Sequence, residues 1–221
     1  AAVAMLNLLR PTVAVSRFVI YAALELLAHP HWHQTLQHDD GALEPFAQEV
    51  RRLHAFFPFT AARVRKDFEW KDYRFPEGTR VLLDLHGTNR DARLWAQPEM
   101  FHPERFASWD GGAFNFITQG GGDAATGHRC PGEPLAVGLL VAALRMLTRE
   151  MSYAVPAQDL HMDASRMPAQ PAPSGFRAHV LTIHDQLGTI LKHADRRLGR
   201  DRSHPLGHAD AEVDDPADRQ L

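Results

Sequence analysis

Cysteine is almost missing from this chain. Cys130 is the only one, so no internal disulfide framework can form, and a reducing compartment, the cytoplasm, is expected. Dense basic blocks are missing too. The net charge is −3, which argues against a nucleic-acid partner. Nor is there an uninterrupted apolar run. Ala1 to Ala28 is strongly apolar but carries Asn7, Arg10, Arg17 and Glu25, whereas a membrane span needs about 20 mostly apolar residues. A buried helix is expected there and no membrane span. The first residues show no basic region and no clear cleavage site, so no signal peptide is expected. No initiator Met or capping residue precedes Ala1, which reads as entry in mid-helix and as the C-terminal part of something longer. No internal repeat is found. What is present, 221 residues of which 44% are hydrophobic, suffices for one sizeable core or two small ones.

The first helix should run to about Leu27, roughly 40 Å at about 1.5 Å per residue. It is apolar all round and therefore central. Pro11 lies in its middle and should kink it. Arg10, beside the kink, either pairs with a structural carboxylate or awaits a ligand carboxylate, which a guanidinium binds in bidentate fashion. Pro30 should end this helix, and His31 to Gln37 form a short second one. His29, His31 and His33 alternate, but zinc wants three or four converging ligands and the sequence offers no partners. Leu43 to Phe57 reads as a helix with Leu43, Phe46, Ala47, Val50 and Leu53 on one stripe, and with Glu49 and Arg52 one turn apart. Phe59 to Ala92 reads as sheet, with strands over Val64 to Phe75 and Arg80 to Leu85 around a Pro76-Glu77-Gly78 turn. Ala96 to Phe106 reads as short helix and turn. Glu133 to Met151 reads as a second central helix, and Asp159 to Ile183 as loops with short strands. Residues 1–190 are expected to form one domain portion and 191–221, polar and without periodicity, a disordered tail.

Between sheet and second central helix lies Gln119-Gly120-Gly121-Gly122-Asp123-Ala124-Ala125-Thr126-Gly127-His128-Arg129-Cys130-Pro131-Gly132-Glu133. Pro131 suits a first helical turn. The sulfur therefore falls where the helix dipole and unpaired N–H groups favour negative charge, as a metal ligand or a nucleophile would require. Glycines let the backbone approach something flat and bulky. A lone cysteine is also often a small buried hydrophobe. A Cys130–His128 nucleophile would need an orienting partner that is not evident. A phosphate loop would need Lys followed by Ser or Thr, which are not there.

The order of a long kinked helix, Glu49-x-x-Arg52, a sheet, Pro103-Glu104-Arg105-Phe106 and a Gly-rich loop with Cys130-x-Gly132 opening an apolar helix resembles the C-terminal portion of the cytochrome P-450 superfamily, over about Ala1 to Ile183. The resemblance implies a mainly α fold with small β-sheets (α+β). It implies haem b held between a long distal helix and the cysteine loop, with the iron ligated by the Cys130 thiolate, which favours O–O cleavage. Glu49, Arg52 and Arg105 then correspond to a buried structural ion-pair network. Gly127 and Gly132 belong to the cofactor loop, and Arg63, His128 and Arg129 are candidates for the haem propionates.

The loop departs from the usual pattern. The usual Gly and Arg positions hold Thr126 and His128, with Gly127 and Arg129 each one place later, and Asp123 stands for the usual Phe. The first helix has no acid–alcohol pair; Arg10-Pro11 stands in its place. Both departures resemble the bacterial fatty-acid peroxygenases. So do Lys66-Asp67-Phe68, Val81-Leu82-Leu83-Asp84-Leu85 with Gly87-Thr88-Asn89, and Arg166-Met167-Pro168 with Ser174-Gly175-Phe176. This implies hydroxylation of long-chain fatty acids near the carboxylate with hydrogen peroxide. Arg10 and Pro11 would form the catalytic pair of positions, Arg10 would anchor the substrate carboxylate as the acid–base, and no reductase would be required. The alternatives are a fatty-acid decarboxylase forming terminal alkenes, a reductase-dependent monooxygenase, and a catalytically silent fragment.

Overall fold

The computed structural model describes residues 2–54, 56–109, 111–160, 162–163, 170–171 and 178–183, some of them, Arg10 among these, by backbone only. The chain divides into two units, Ala1–His184 and Asp185–Leu221. The second unit, with the tail expected over 191–221, lies outside the described residues, as do Arg166-Met167-Pro168 and Ser174-Gly175-Phe176.

Unit one is built on helices α1 (Ala2–Ala28), α2 (Pro30–His38), α3 (Leu43–Leu53), the single turn α4 (Leu85–Thr88) and α5 (Glu133–Arg145). The strands form two-stranded antiparallel pairs: β1 (Phe59–Arg63) with β4 (Arg80–Asp84), β2 (Phe68–Trp70) with β3 (Tyr73–Phe75), β5 (Met151–Ala154) with β8 (His179–Ile183), and β6 (Met162–Asp163) with β7 (Gln170–Pro171). The expected α+β class, mainly helical with small sheets, is the observed one.

Helix α3 is the centre. Its stripe Leu43, Phe46, Ala47, Val50 and Leu53 is buried, because residues three and four apart share a face. Phe18, Tyr21, Ala22 and Leu26 of α1, Trp32 and Leu36 of α2, and Leu140 and Leu144 of α5 close on that stripe. Polar contacts reinforce the packing. Glu25 of α1 meets His54 Nε2 at 2.6 Å and His29 Nε2 at 3.3 Å, tying α1 to the end of α3. His29 also stacks on Phe101, with ring centroids 5.2 Å apart.

Pro11 sits inside α1, and that helix ends at Ala28, before Pro30, as expected. Several other boundaries differ from the sequence reading, each for a local reason. Pro30 itself opens α2, one residue before the expected His31, at a first turn where a missing N–H costs nothing. Helix α3 stops at Leu53, not Phe57, where His54 turns extended. The strand expected over Val64 to Phe75 is instead β1, which ends before Val64, followed by a separate hairpin. Lys71 and Asp72, at φ 49° and 62°, make the tight turn that the right-handed strand twist favours. The helix from Glu133 changes to a π-helical turn over Met146–Glu150, and Met151 already belongs to β5. The two long helices are not central along their whole length. Val3, Met5, Leu6, Leu9 and Val13 on α1, and Leu135 and Leu139 on α5, are exposed.

Candidate active site around Cys130

The stretch from Ala113 to Glu133 folds back on itself through backbone bonds. Gly122 N–H donates to the Ala113 carbonyl (2.8 Å), Gly127 to Asp123 (2.8 Å), His128 to Gly121 (3.2 Å) and Cys130 to Gln119 (2.8 Å). Two glycines are required sterically. Gly120 has φ +93°, and a Cβ there would stand 1.9 Å from the His128 carbonyl oxygen. A Cβ at Gly127 would lie 2.8 Å from the Asp123 carbonyl oxygen. Asp123 explains the fold: its carboxylate accepts from the Ala125 and Thr126 N–H groups, both at 2.9 Å, and from the Thr126 hydroxyl at 3.0 Å. Those bonds hold its pKa below the usual carboxylate value.

Cys130 is half-buried, and its Sγ has no hydrogen-bond partner among the described residues. Its carbonyl accepts from Glu133 N–H at 3.1 Å, the start of α5. Gly132 caps that helix, and a Cβ added to it would meet nothing within 4 Å except Cys130 Sγ, at 3.7 Å. A cavity of about 570 Å³ opens beside the thiol, with Glu44 and Gln48 of α3 on one wall and Val137 and Val141 of α5 on another. A single free soft donor at a helix start, with open space over the adjacent glycine, fits a group needing one thiolate ligand.

Behind the loop lies a cluster of charges. Arg51 and Arg52, neighbours on α3, are both buried. They serve different networks. Arg52 pairs with Glu49 at 2.7 Å and donates to the carbonyls of Asn89 (2.9 Å), Pro98 (2.8 Å) and Met100 (3.2 Å). Arg105 joins Glu49 at 3.2 Å, and the same carboxylate accepts from His102 N–H at 2.8 Å. Glu49, Arg52 and Arg105 are thus gathered into one buried cluster. Arg51 instead reaches the cysteine loop, pairing with Glu133 and donating to Gln119 Oε1 (2.9 Å) and Thr118 Oγ1 (3.0 Å). Burial pushes its pKa below the usual guanidinium value, with Glu133 opposing that shift.

The other sequence-selected residues are dispersed. Arg129 points into the same cluster, 3.5 Å from Glu133 and bonded to the Phe116 carbonyl at 3.2 Å. His128 is exposed. Arg63 is exposed at the end of β1 and donates to the Gly78 carbonyl at 3.1 Å. Arg10 and Pro11 lie on the first turns of α1; Pro11 is exposed, and the Arg10 side chain lies outside the described residues. Sequence reasoning missed Arg51, Glu133 and Asn89. The Asn89 side chain accepts from Ile117 N–H at 2.9 Å, fixing the entrance to the loop. The one available signal was Glu133 following Cys130-x-Gly132; its partner stands 82 residues away.

A helical body with small antiparallel sheets and one thiol opening a helix beside glycine is the arrangement expected of a haem-thiolate protein, and the family match assigns the chain to that class, whose cofactor is haem b. The model of the family "Cytochrome P450" matches residues 42–170, more than half of the chain, and the chain belongs to that family. Among curated proteins, "Melianol synthase CYP71BQ5" from Azadirachta indica is 33% identical over 124 residues, covering 52% of this chain and 24% of that protein. "Cytochrome P450 71A8" from Mentha piperita is 29% identical over 171 residues, covering 67% of this chain and 33% of that protein. Among solved structures, "Cytochrome P450SP alpha (CYP152B1) in complex with (R)-ibuprophen" is 48% identical with a TM-score of 0.74, covering 80% of this chain and 44% of that one. "Cytochrome P450EX alpha (CYP152N1) wild-type with myristic acid" is 44% identical with a TM-score of 0.71, covering 79% and 43%. A variant of cytochrome P450 OleT in complex with arachidonic acid is 35% identical with a TM-score of 0.74, covering 82% and 43%. The chain thus spans about a quarter to a third of the two curated relatives and under half of these structures. The resemblance to the fatty-acid peroxygenase branch agrees with these neighbours. No single helix among the described residues is long and apolar enough to cross a membrane.

Proposed function

We propose that this chain carries the haem-thiolate site of a cytoplasmic fatty-acid peroxygenase, an oxidoreductase that hydroxylates long-chain fatty acids near the carboxylate with hydrogen peroxide and needs no reductase. Cys130 would hold the haem iron through its thiolate, with Gly127 and Gly132 shaping the loop around it. Bound there, the haem contributes the thiolate-assisted O–O cleavage of its class. Arg10 holds the substrate carboxylate through a bidentate, charge-assisted pair. That carboxylate, fixed near the reacting oxygens, takes and returns the peroxide proton in place of a protein acid. Pro11 cannot donate a backbone hydrogen bond at this point of α1. Exposed Arg63 and His128 remain candidate partners of the propionates, and Glu49, Arg52 and Arg105 keep α3 in place. Arg129, held by Glu133, contributes charge on the protein side of the loop.

The observation that carries this reading is the packing of α1, the helix bearing Arg10, against α5, the helix that follows Cys130, through Phe18, Tyr21, Ala22, Leu26, Leu140 and Leu144. Neighbouring structures holding myristic and arachidonic acids support the substrate class.

Haemin titration of the chain, read by the carbon monoxide spectrum of the reduced form, tests it first. A thiolate-type band in wild type, absent from Cys130→Ala, is expected. Arg10→Ala should weaken fatty-acid binding by about tenfold or more, the loss of a charge-assisted pair worth about 1.5–3 kcal/mol. Acetate should restore peroxide-driven oxidation of substrates lacking a carboxylate. Unchanged fatty-acid affinity in Arg10→Ala would remove the anchor from the proposal, and alkene products would replace hydroxylation by decarboxylation.

A further inference from the structure

We infer that Arg51 is the positioning residue for Cys130: it ties both ends of the cysteine loop to α3. The inference rests on Cys130 being the haem ligand and adds a residue outside the Glu49–Arg52 pair.

The geometry is specific. Arg51 is 1% exposed, so its guanidinium must find partners inside the protein. Its Nη2 is shared by Thr118 Oγ1 at 3.0 Å, Gln119 Oε1 at 2.9 Å and Glu133 Oε1, while Nη1 donates to Gln48 of its own helix. Its guanidinium carbon lies 5.1 Å from the centre of the Phe116 ring. Thr118 and Gln119 enter the cysteine loop, and Glu133 leaves it. One planar side chain on a rigid helix therefore closes the loop from both ends. Gln119 also accepts the Cys130 N–H through its backbone at 2.8 Å, so the residue Arg51 holds by its side chain holds the cysteine by its carbonyl. Without this tie, the loop must be ordered at an entropic cost that only its own short-range bonds would offset.

Arg51→Met and Arg51→Lys test this in two ways. In the haem-free chain, amide hydrogen exchange over residues 118–133 should accelerate at least about tenfold in Arg51→Met, while β1–β4 and α2 keep wild-type rates. Arg51→Lys keeps the charge but not the fork, and should fall between. In the haemin-loaded chain, the thiolate-type carbon monoxide band of the reduced form should weaken in Arg51→Met, as the misplaced loop ligates poorly, and partly recover in Arg51→Lys. Wild-type exchange across 118–133 in a folded Arg51→Met overturns the inference. So does equal acceleration throughout the chain, which would make Arg51 a general core residue. Should Arg51→Met not fold, Glu133→Gln decides: faster exchange confined to the loop supports the tie, and an unchanged loop overturns it. If haemin gives wild type and Cys130→Ala the same spectrum, the ligand reading has failed, and the exchange measurement still decides what Arg51 holds.

Discussion

Glu49 and Arg52 face each other at 2.7 Å across one turn of α3, and neither side chain is exposed. Their remaining bonding capacity goes outward to the segment before the cysteine loop: the carbonyls of Asn89, Pro98 and Met100, the N–H of His102 and the guanidinium of Arg105. That segment has little regular structure of its own between α4 and the 3-10 turn at Pro103–Phe106. The buried pair therefore serves as its anchor. Hydrophobic packing could not do this, because backbone carbonyls without strand partners need donors.

Glu49→Gln tests the anchor while keeping side-chain size. It leaves Arg52 buried without its counter-charge, a change that typically costs about 3–5 kcal/mol. Against a total stability of about 5–15 kcal/mol for an ordinary domain, that is a large fraction. Urea unfolding should show a sharply lower midpoint or no folded baseline. A loss below about 1 kcal/mol, the range of surface pairs, would show that the pair does not anchor the segment.

Gly120 and Gly138 predict opposite outcomes for the same substitution. Gly120→Ala puts a methyl group 1.9 Å from the His128 carbonyl at a φ of +93°, so the loop must open, and stability should fall by more than about 1 kcal/mol. Gly138 lies inside α5 with nothing within 4 Å of the added Cβ. Gly138→Ala should therefore stabilise, by about 0.5–1 kcal/mol, by reducing unfolded-chain entropy. Urea unfolding of the two variants side by side reads both signs. Loss of the carbon monoxide thiolate band is expected for Gly120→Ala alone.

The parts legible in the sequence are those where a local pattern meets a local cause. The stripe on α3 was readable because five apolar residues at helical spacing all face one core. The cysteine loop was readable because glycine, cysteine and proline have positional meanings of their own. Strand β1 was misplaced because all five of its residues are exposed, which leaves no alternation to read. The end of α5 was misplaced because Met146 to Glu150 still look helical, and only the pairing of β5 with β8 shows where the chain leaves the helix. Arg51 was passed over for its neighbour Arg52. Its partner Glu133 is distant in the chain, and no spacing rule links an arginine on one helix to the first residue of another.

Tyr21 should make the folded state sensitive to alkali. It is 1% exposed and stacks on His54 at 4.8 Å between ring centroids. Burial pushes its phenol from 10.0 up to about 12, with Arg17 opposing weakly. Unfolded chains lose this proton near the ordinary value, and folded ones only near the raised value. Deprotonation therefore favours the unfolded state, so the group's contribution is complete below the ordinary pKa and declines as pH rises from it. Two pH units correspond to an effect on the order of 2–3 kcal/mol. Urea unfolding between about pH 9 and 12 should show this extra decline in wild type and not in Tyr21→Phe. Parallel declines would place the alkaline sensitivity elsewhere.

Asp123 gives the opposite pH signature, and does so within the cysteine loop. The Thr126 and Ala125 N–H groups and the Thr126 hydroxyl stabilise its carboxylate, which lowers its pKa from 3.8 in the folded state. The unfolded chain therefore takes up this proton first as pH falls. The contribution is complete above the unfolded pKa and disappears as pH drops through the folded one. Asp123→Asn keeps an acceptor oxygen and removes only the charge, so the difference in unfolding midpoint between wild type and variant reports the charge alone. That difference should be steady from about pH 7 to 5 and close below about pH 4. A difference that persists unchanged into acid would mean that the carboxylate holds the loop by shape and not by charge.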